Sequence, residues 1–470
     1  MHNVFSGPHA LLEYLSPEKH PPLPLVELPP ALNPYAERGV RIFAKCMFLL
    51  PLGNIKSIPA RQMLLDAAAR GALNSVHTLI ENSSGNTVFS LATLGRLFGI
   101  PRTRAIVSHE VSKGKLALLR LFGTEIEVNE EPICPDPRDA TSGIYKARVR
   151  GAADGWCNPG QYDNPANPAA HEQVTGPQLY AQLGSRIDIV CVGLGTTGTI
   201  VGIGTYLKSV VPGVRIIGAV RAPNNPVPGV RTKNLLSQIA FPWNAVTEYV
   251  HTIGTKDAFR TSLALVRAGI LGGPSSGFAL AGLLAELERM DTDGSLDAAV
   301  QKHGELITVF ICPDGPLPYI DEYFEYLDPG DFPRIEHEEL LARPEGVLDS
   351  EIIPTVDALT AHAHLYEPGT QQMRADTVLL DVRSADEFLD VHLPGALHIP
   401  HTEALAAIDT LLATHADKRM YVVCASGRRS ALVTQALQAR GAHVVSLEGG
   451  IIAWSEKDLP RVRPQSCMTR

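Results

Sequence analysis

The sequence predicts an α/β protein built from two units with a linker between them. Short apolar runs alternate with helical patterns from about residue 41 to 327, and a second alternation begins near residue 353. Between them, residues 328–351 carry eight acidic residues against two arginines, with Pro329, Pro333 and Pro344. We therefore assign residues 1–327 to the first unit and 353–465 to the second. Residues 328–352 form the linker, with a short helix predicted at 336–342.

Composition narrows the class of protein. The chain has 470 residues, of which 45% are apolar and 19% charged, as expected for a soluble protein of about three folded units. Its net charge of −9, without a basic stripe, argues against nucleic-acid binding. Seven scattered cysteines and the lack of a signal-peptide pattern favour a reducing, cytoplasmic compartment.

The elements follow in order along the chain. Residues 17–34 are proline-rich and predict an extended segment. Residues 187–207 are long enough to suggest a membrane span, but Asp188 and a Gly/Thr cluster favour a strand, a turn and a helix. The predicted strands are 106–109, 187–192, 216–220, 377–382, 420–424 and 444–447, and the predicted helices are 89–98, 261–268, 279–290 and 429–439. This alternation predicts parallel sheets covered by helices.

Lys56 is the first candidate for chemistry. It lies in a glycine-containing loop, residues 51–60, ahead of a helix. A lysine that forms a Schiff base must be a free amine, which from a pKa of about 10.4 costs roughly 4 kcal/mol near neutral pH. Burial or a neighbouring cation must supply that free energy. The alternative is an ordinary solvated lysine.

Three further segments have the composition of ligand loops. Residues 81–87 place small hydroxyl and amide side chains ahead of a helix, which suits an anion or an ordinary N-cap. Residues 193–199 form a glycine-rich turn after a strand, which suits a phosphate. They also match a dinucleotide fingerprint, but the next strand ends near Arg221 instead of an acid. In residues 272–277, Ser275 suits a ring nitrogen or a helix cap.

Two further segments follow, Gln-Tyr-Asp-Asn-Pro-Ala-Asn-Pro-Ala-Ala-His at 161–171 and Thr-Gly-Pro at 175–177. Together with the order of the other segments, they resemble the fold-type II pyridoxal-phosphate enzymes of the cysteine synthase and cystathionine β-synthase group. The resemblance covers roughly residues 22–327 and implies a two-lobed fold with mostly parallel sheets. It implies that Lys56 holds pyridoxal 5'-phosphate and later moves the α-proton, and that Asn86 bonds the ring oxygen.

The same resemblance implies the other binding residues. The phosphate would be held by Gly195, Thr196, Thr197, Gly198 and Thr199, and the substrate carboxylate by Ser83, Ser84, Gly85, Thr87 and Gln161. Ser275 would face the pyridine nitrogen, and a hydroxyl there should leave the ring unprotonated. The sequence departs from the family at Ser57, Ile58, Val88, Thr197 and Leu23. None of these changes removes a catalytic group, and together they indicate a subgroup.

The second unit contains one candidate nucleophile, Cys424. The segment Cys424 to Arg429 joins an apolar strand to a helix that begins near Ser430. A helix N-terminus and two arginines both favour a thiolate, whereas an isolated cysteine is more often a buried structural residue. A phosphatase-type loop has a similar layout but is usually one residue longer.

The setting of Cys424 resembles a single-domain rhodanese. The matching pieces are residues 380–384, 387–388, 392–396, 449–450 and Trp454, over roughly residues 353–462. The resemblance implies a second α/β domain in which Cys424 takes a sulfane sulfur. Gly427, Arg428 and Arg429 would shape the loop and attract thiosulfate, while Asp381 and Arg383 would serve structure.

Two catalytic hypotheses and one non-catalytic hypothesis follow. The first is β-replacement on an activated serine such as O-acetylserine to give cysteine or S-sulfocysteine, with Cys424 mobilising the sulfur. Tethering would raise the effective concentration of that sulfur. The second is a lyase or cystathionine β-synthase-like enzyme that releases sulfide from cysteine. The third is a sulfur-sensing scaffold, although Lys56 and Asn86 are both retained. We expect small-molecule partners, no metal, no membrane or nucleic-acid contact, and a homodimer as a candidate assembly.

Overall fold

The computed structural model describes residues 4–109, 111–130, 136, 138–336, 338 and 353–463. The chain divides into two compact units, Met1–Pro333 and Arg334–Arg470. This division falls inside the segment expected to be a linker, and the domain limits given above stay a prediction. The helix predicted at 336–342 lies almost wholly outside the described residues.

The first unit contains two sheets. Its strands are β1 (Leu25–Glu27), β2 (Val40–Cys46), β3 (Thr78–Asn82), β4 (Arg102–Ser108), β5 (Glu125–Asn129), β6 (Trp156–Cys157), β7 (Ile189–Gly193), β8 (Arg215–Arg221), β9 (Tyr249–Ile253) and β10 (Leu306–Cys312). Six of them form a sheet in the order β1-β2-β10-β7-β8-β9, and four form a sheet in the order β5-β4-β3-β6. Every described pairing except β1 with β2 is parallel. The predicted fold class is confirmed.

Helices cover these sheets. They are α1 (Ala10–Tyr14), α2 (Ser57–Ala69), α3 (Asn86–Leu97), α4 (Lys113–Leu121), α5 (Gly143–Gly151), α6 (Ala166–Gln173), α7 (Thr175–Leu183), α8 (Gly198–Val210), α9 (Trp243–Val246), α10 (Thr255–Arg267), α11 (Pro274–Thr292), α12 (Ser295–His303) and α13 (Ile320–Tyr326). All seven residues of β10 are buried, as expected of a central parallel strand with helices on both faces.

The topology brings the candidate segments to strand ends. Residues 83–87 follow β3, residues 194–199 follow β7, and Asp314 follows β10. Lys56 comes after β2 and a short turn. Because ligands of open α/β sheets bind beyond the carboxyl ends of parallel strands, this arrangement positions a site there.

The proline-rich stretch differs from its prediction. Residues 17–34 are not extended throughout, because β1 is flanked by 3-10 turns at Pro17–Lys19 and Pro30–Leu32. Proline fits the first position of such a turn, since its fixed φ and missing N–H cost nothing there. Residues 187–207 form β7, a turn and most of α8, as predicted. Among the described residues, no helix has both the length and the apolar character needed to span a bilayer.

The second unit is one parallel sheet with helices. Its strands are β11 (Thr355–Val356), β12 (Thr377–Asp381), β13 (Leu397–His398), β14 (Arg419–Val423) and β15 (Val444–Leu447), in the order β11-β15-β14-β12-β13. Its described helices are α14 (Ala358–Leu365), α15 (Ala385–Asp390), α16 (His401–Ala406), α17 (Ile408–Thr414), α18 (Arg428–Gln438) and α19 (Gly450–Glu456). The buried pair of Arg383 with Asp381, 2.7 Å apart, fits the structural role expected of both.

Candidate active sites

A cavity of about 300 Å³ in the first unit gathers most of the residues predicted to bind cofactor and substrate. Its lining includes Lys56, Ser83, Ser84, Gly85, Asn86, Thr87, Gln161, Gly195, Thr196, Thr199 and Ser275. Thr197 and Gly198 lie at the start of α8 but do not line the cavity. Segments more than 200 residues apart in sequence therefore meet in one place.

Lys56 lies immediately before α2, and hydrogen bonds hold the backbone in place there. Its N–H donates to Asn54 Oδ1 at 2.9 Å, and the neighbouring Ile55 N–H donates to the carbonyl of Pro313 at 2.7 Å. Burial lowers the pKa of Lys56 to about 8, against a smaller opposing effect of the Asp314 charge. The side chain therefore has a substantial neutral fraction near pH 8, which a Schiff-base lysine requires.

The loop at 83–87, which the sequence predicts to bind substrate, is joined to Gln161 by hydrogen bonds. Thr87 Oγ1 donates to Gln161 Oε1 at 2.7 Å, and Gln161 Nε2 donates to the carbonyl of Asn82 at 3.0 Å. Glu81 anchors the other side, since it accepts from the N–H groups of Gly160 and Gln161 at 3.0 and 3.1 Å. Burial raises the pKa of Glu81 to about 7. Sequence reasoning missed Glu81, because an acid beside a turn carries no sign of burial.

The loop at 195–199, which the sequence predicts to bind phosphate, shows two features that fit an anion. Thr197 adopts a left-handed φ of +67°, which is strained for a β-branched residue. Its hydroxyl is buried and has no hydrogen-bond partner within the described part of the chain. Both lie at the N-terminus of α8, a helix of thirteen residues. A phosphate would satisfy such a hydroxyl and the free N–H groups of the first turn, so these residues fit pyridoxal phosphate.

Residues 161–171 contact the 195–199 loop through two side chains. Asn167 Nδ2 donates to Thr196 Oγ1 at 3.2 Å, and His171 Nε2 lies 3.2 Å from Thr199 Oγ1. Burial, with a smaller effect of the Lys56 charge, lowers the pKa of His171 to about 3, so its imidazole is neutral. The long sequence match therefore has a physical role, which is to hold the loop in position.

Asn86 and Ser275 meet at a carboxyl that sequence reasoning also missed. Asn86 Nδ2 donates to Asp314 Oδ2 at 2.5 Å, and Ser275 Oγ donates to Asp314 Oδ1 at 3.0 Å. The sequence could have indicated Asp314 by its position, because it lies two residues after β10 and ligands of parallel sheets bind beyond the strand ends. Asp314 lines the same cavity.

Besides Lys56 and Arg221, two cationic side chains line the cavity, and neither was predicted to do so. Arg231 is 8% exposed, and its Nη1 has no hydrogen-bond partner among the described residues. Its guanidinium carbon lies 5.0 Å from the ring centre of Tyr162. Lys115 places its ammonium 5.4 Å from the ring centre of Tyr319. A buried guanidinium nitrogen without a partner is costly, which indicates that an anionic group belongs beside it.

Cys424 lies in the second unit between β14 and α18. The N–H of Gly427 donates to its Sγ at 3.2 Å, and the Ser430 hydroxyl donates to it at 3.5 Å. Burial by itself would raise the pKa of the Cys424 thiol, but hydrogen bonds from Ser430, Ser426 and Gly427 outweigh it and lower the pKa. Gly427 has a φ of +96°, which turns the chain so that these donors face the sulfur.

The two arginines of this loop have different surroundings. Arg429 forms two 2.6 Å hydrogen bonds with the Glu387 carboxylate, which neutralises much of its charge. Arg428 is exposed. Arg428 is therefore better placed than Arg429 to attract an anion from solvent. Over the described ranges, no group of three or more His, Cys, Asp or Glu side chains could hold a metal ion.

Comparisons with known proteins agree with this chemistry. The family model "Pyridoxal-phosphate dependent enzyme" matches residues 18–296, and the "Rhodanese-like domain" model matches residues 368–457. The chain is 31% identical to a cysteine synthase of Aquifex aeolicus, over 63% of this chain and 88% of that protein. It is 32% identical to cysteine synthase B of Salmonella typhimurium, over 62% and 90%.

A solved structure is similar in fold. The cysteine synthase of Entamoeba histolytica aligns with a TM-score of 0.56 and 23% identity, covering 70% of this chain and 96% of that one. The chain therefore belongs to the family of pyridoxal-phosphate-dependent enzymes, and a rhodanese-like sulfurtransferase domain follows in the same chain. Within the family it is similar to cysteine synthases, so pyridoxal phosphate is its cofactor, as the sequence predicted.

Proposed function

We propose that the first unit catalyses β-replacement on an activated serine such as O-acetylserine, with a sulfur nucleophile that forms cysteine or S-sulfocysteine. We propose Cys424 as the carrier of sulfane sulfur in the second unit. The observation that supports the first assignment best is that one cavity is lined by Lys56, Asn86 and three residues of the 195–199 turn, namely Gly195, Thr196 and Thr199. The similarity to cysteine synthases supports the reaction class.

Different residues of the first unit bind the cofactor ring, the phosphate and the substrate. When bound, pyridoxal phosphate supplies an electron sink for bond changes at the α and β carbons of an amino acid. Lys56 Nζ, with its lowered pKa, binds the cofactor and accepts the α-proton. Asn86 and Ser275 orient the ring. Gly195 to Thr199 hold the phosphate. Ser83, Ser84, Gly85, Thr87 and Gln161 hold the substrate carboxylate with hydroxyl, amide and backbone donors.

The cationic side chains of the cavity affect which sulfur donor it binds. Within the part of the chain that the structure describes, Arg231 Nη1 has no hydrogen-bond partner, and Lys115 lines the same cavity. Both favour an anionic nucleophile such as thiosulfate, which would give S-sulfocysteine directly. Sulfide carries less charge and makes fewer hydrogen bonds, so it would gain less from these cations.

Cys424 suits a small sulfur donor. Its thiol is 1% exposed and accepts two hydrogen bonds, so the anion is stabilised at the bottom of a loop. The thiolate would attack the outer sulfur of thiosulfate, form an S–S bond and release sulfite. Two equivalents of a small-molecule thiol would then reduce the persulfide, which regenerates the Cys424 thiolate, forms the disulfide of that thiol and releases sulfide as a nucleophile for the first unit.

Two variants test the assignments separately. Lys56→Ala should abolish the visible absorption of bound cofactor and amino-acid turnover while thiosulfate sulfurtransfer continues. Cys424→Ser should abolish thiosulfate sulfurtransfer while cofactor absorption and amino-acid turnover continue. Cys157→Ser, which removes another free thiol, should leave both activities unchanged. Persulfide formation that survives in Cys424→Ser would contradict the carrier assignment.

Product analysis separates replacement from the alternative reaction. Mass spectrometry should find cysteine or S-sulfocysteine when O-acetylserine is supplied with sulfide or thiosulfate. Sulfide release from cysteine alone, without turnover of O-acetylserine, would instead support the lyase hypothesis. A purified protein that never binds the cofactor would support the scaffold.

A further inference from the structure

Glu81, the next-to-last residue of β3, is a buried acid that the proposed chemistry does not use. It is 1% exposed and does not line the cavity that contains Lys56. Among the described contacts, its hydrogen bonds come from the backbone and from Asn158, and none comes from a lysine or arginine. Burying a carboxyl group is costly unless hydrogen bonds replace those made to water, so the bonds that Glu81 accepts indicate its role.

Both carboxyl oxygens of Glu81 accept hydrogen bonds from backbone N–H groups. Oε1 accepts from Asn82 at 3.0 Å, and Oε2 accepts from Gly160 and Gln161 at 3.0 and 3.1 Å. A backbone N–H can only donate, so the direction of all three bonds is fixed. A glutamine offers one acceptor oxygen instead of two, so it could not satisfy both the end of β3 and the turn at 160–161.

The side chain of Gln161 carries this constraint to the 83–87 loop. Its Nε2 donates to the carbonyl of Asn82 at 3.0 Å, and its Oε1 accepts from Thr87 Oγ1 at 2.7 Å. These contacts lie at the two ends of the loop, so one side chain holds both ends. Gln161 and residues 83–87 all line the cavity. A shift in the backbone of Gln161 would therefore change the shape of the loop.

The turn at 160–161 has a second support that does not depend on Glu81. The carbonyl of Gln161 accepts from Asn167 Nδ2 at 2.7 Å, and the same nitrogen donates to Thr196 Oγ1 at 3.2 Å. Asn167 belongs to α6, whose backbone is held by its own hydrogen bonds. A change at Glu81 should therefore loosen the 83–87 loop and leave the contact with the 195–199 loop in place.

We propose that Glu81 is a positioning residue which, through Gln161, holds the 83–87 loop in the geometry that binds the carboxylate of the amino-acid substrate. The inference rests on the proposed function, which assigns this loop to that carboxylate, and deepens it by naming the group that orders the loop. Donors already in place bind a carboxylate more tightly than donors that must be ordered on binding. Loss of Glu81 should therefore weaken substrate binding in particular.

The ionised form of Glu81 is the better acceptor. Burial raises the pKa of Glu81 to about 7, and the hydrogen bonds from Gln161, Asn82 and Gly160 oppose that rise. At about pH 8 the carboxyl group is therefore mainly ionised, and the test is made there.

Glu81→Gln in the full-length protein with pyridoxal phosphate bound is the first variant. At least one backbone N–H loses its acceptor, so kcat/KM for O-acetylserine should fall about 10- to 100-fold, through KM. The kcat/KM for the sulfur donor, cofactor absorption and persulfide formation at Cys424 should not change. Asp188→Asn is the matched control, because it also removes a carboxyl that accepts a backbone N–H, from Ile307, outside the cavity lining. Its kinetics should stay as in the natural protein.

The path through Gln161 is tested by combining variants. Gln161→Ala should lose at least as much kcat/KM for O-acetylserine, and adding Glu81→Gln to it should cause no further loss, because residues that act through one link are not additive. Fully additive losses, no loss in Glu81→Gln, or equal losses for both substrates would overturn the proposal.

Amide hydrogen exchange of the natural protein decides the matter if Glu81→Gln does not fold. The N–H groups of Asn82, Gly160 and Gln161 should then open together as one slowly exchanging unit, and fast, independent exchange would overturn the proposal. Failure of these tests in a protein that converts O-acetylserine leaves the proposed function standing. A natural protein that converts no O-acetylserine with sulfide or thiosulfate would instead overturn the proposed function, and this inference with it.

Discussion

At the scale of single residues, buried polar atoms without partners are the clearest sign of what the protein binds. Thr197 Oγ1 and Arg231 Nη1 are both buried and unpartnered within the described ranges. Arg231 lines the cavity that contains Lys56, and Thr197 lies at the N-terminus of α8, between the lining residues Thr196 and Thr199. A buried polar atom without a partner costs free energy that a ligand could offset, so both positions are expected to be sensitive to substitution.

Replacing Arg231 should affect anionic sulfur donors selectively. A hydrogen bond to a charged group contributes about 1.5–3 kcal/mol, so Arg231→Met should raise KM for thiosulfate about 10- to 100-fold. The KM for sulfide should change much less. Steady-state kinetics with each donor measures this, and Arg186→Met, at an exposed ion pair, is the control. Equal losses with both donors would contradict a role for Arg231 in donor choice.

At the scale of elements, the loop that carries Cys424 depends on close contact with the start of α19. A Cβ built on Gly450 would lie 2.3 Å from the carbonyl oxygen of Cys424 and 2.6 Å from that of Ala425. Gly450 also has a φ of +60°. The Cys424 loop, α18 and α19 therefore form one packed unit in which no side chain fits at this point.

We expect Gly450→Ala to destabilise the second unit by about 2–4 kcal/mol and to abolish persulfide formation, since a clash adds to backbone strain. Gly441 is the matched control. It has a φ of +87° but no atom within 4 Å of its built Cβ, so Gly441→Ala should cost only about 1–2 kcal/mol of strain. Equal losses of stability in denaturant titrations of the two variants would contradict the close contact.

Helix α11 brings a buried acid into a cluster of bases. The Glu286 side chain is 0% exposed and contacts Arg215 of β8, His251 of β9 and Arg289 of its own helix. Burial alone would raise the pKa of Glu286, but hydrogen bonds from His251 and Arg289 and the charge of Arg215 lower it to about 2. These contacts tie the helix to two strands of the larger sheet.

Glu286→Gln should therefore lower the free energy of unfolding at neutral pH by about 3 kcal/mol, because it removes the buried carboxylate that Arg215, His251 and Arg289 stabilise. Since the folded pKa lies below the ordinary value of 4.5, the contribution of Glu286 is complete above pH 4.5 and is lost as the pH falls toward about 2. Denaturant titrations at several pH values should show the gap to the natural protein closing in that window. Glu288→Gln, at an exposed position of α11, should show no such gap.

At the scale of the whole molecule, the chain holds two independent sets of core residues. The two largest clusters of the first unit contain Val190 and Phe278, and the clusters of the second unit contain Val422 and Trp454. Each set surrounds its own sheet and site. A change in one site is therefore expected to act on the stability of its own unit.

Removing pyridoxal phosphate should move one of two unfolding transitions. A ligand present at about 100 times its Kd stabilises the unit that binds it by about 2.7 kcal/mol. Calorimetry of the cofactor-free protein should show the first unit melting earlier and the second unchanged, whereas Gly450→Ala should move only the second transition. A single transition that shifts with both changes would contradict independent units.

The sequence by itself determined the α/β class and the order of most elements, and it supplied the candidates for the groups that react. These properties depend on residues that are close in sequence, because the period of the apolar residues, the turn residues and the order of the motifs can all be read directly from the sequence. Lys56, Cys424, the 193–199 turn and the strand at 444–447 were all readable in this way. The extended form predicted for residues 17–34 was wrong in part, since proline suits a 3-10 turn as well as an extended chain.

Only the tertiary structure decided the surroundings of those groups. Asp314, Glu81 and Arg231 act through burial and through partners from distant segments, and neither property is encoded at their own positions. The lowered pKa of Lys56 follows from the same cause. A pKa or a hydrogen-bond direction depends on the charge and solvent around an atom, and folding alone brings those together.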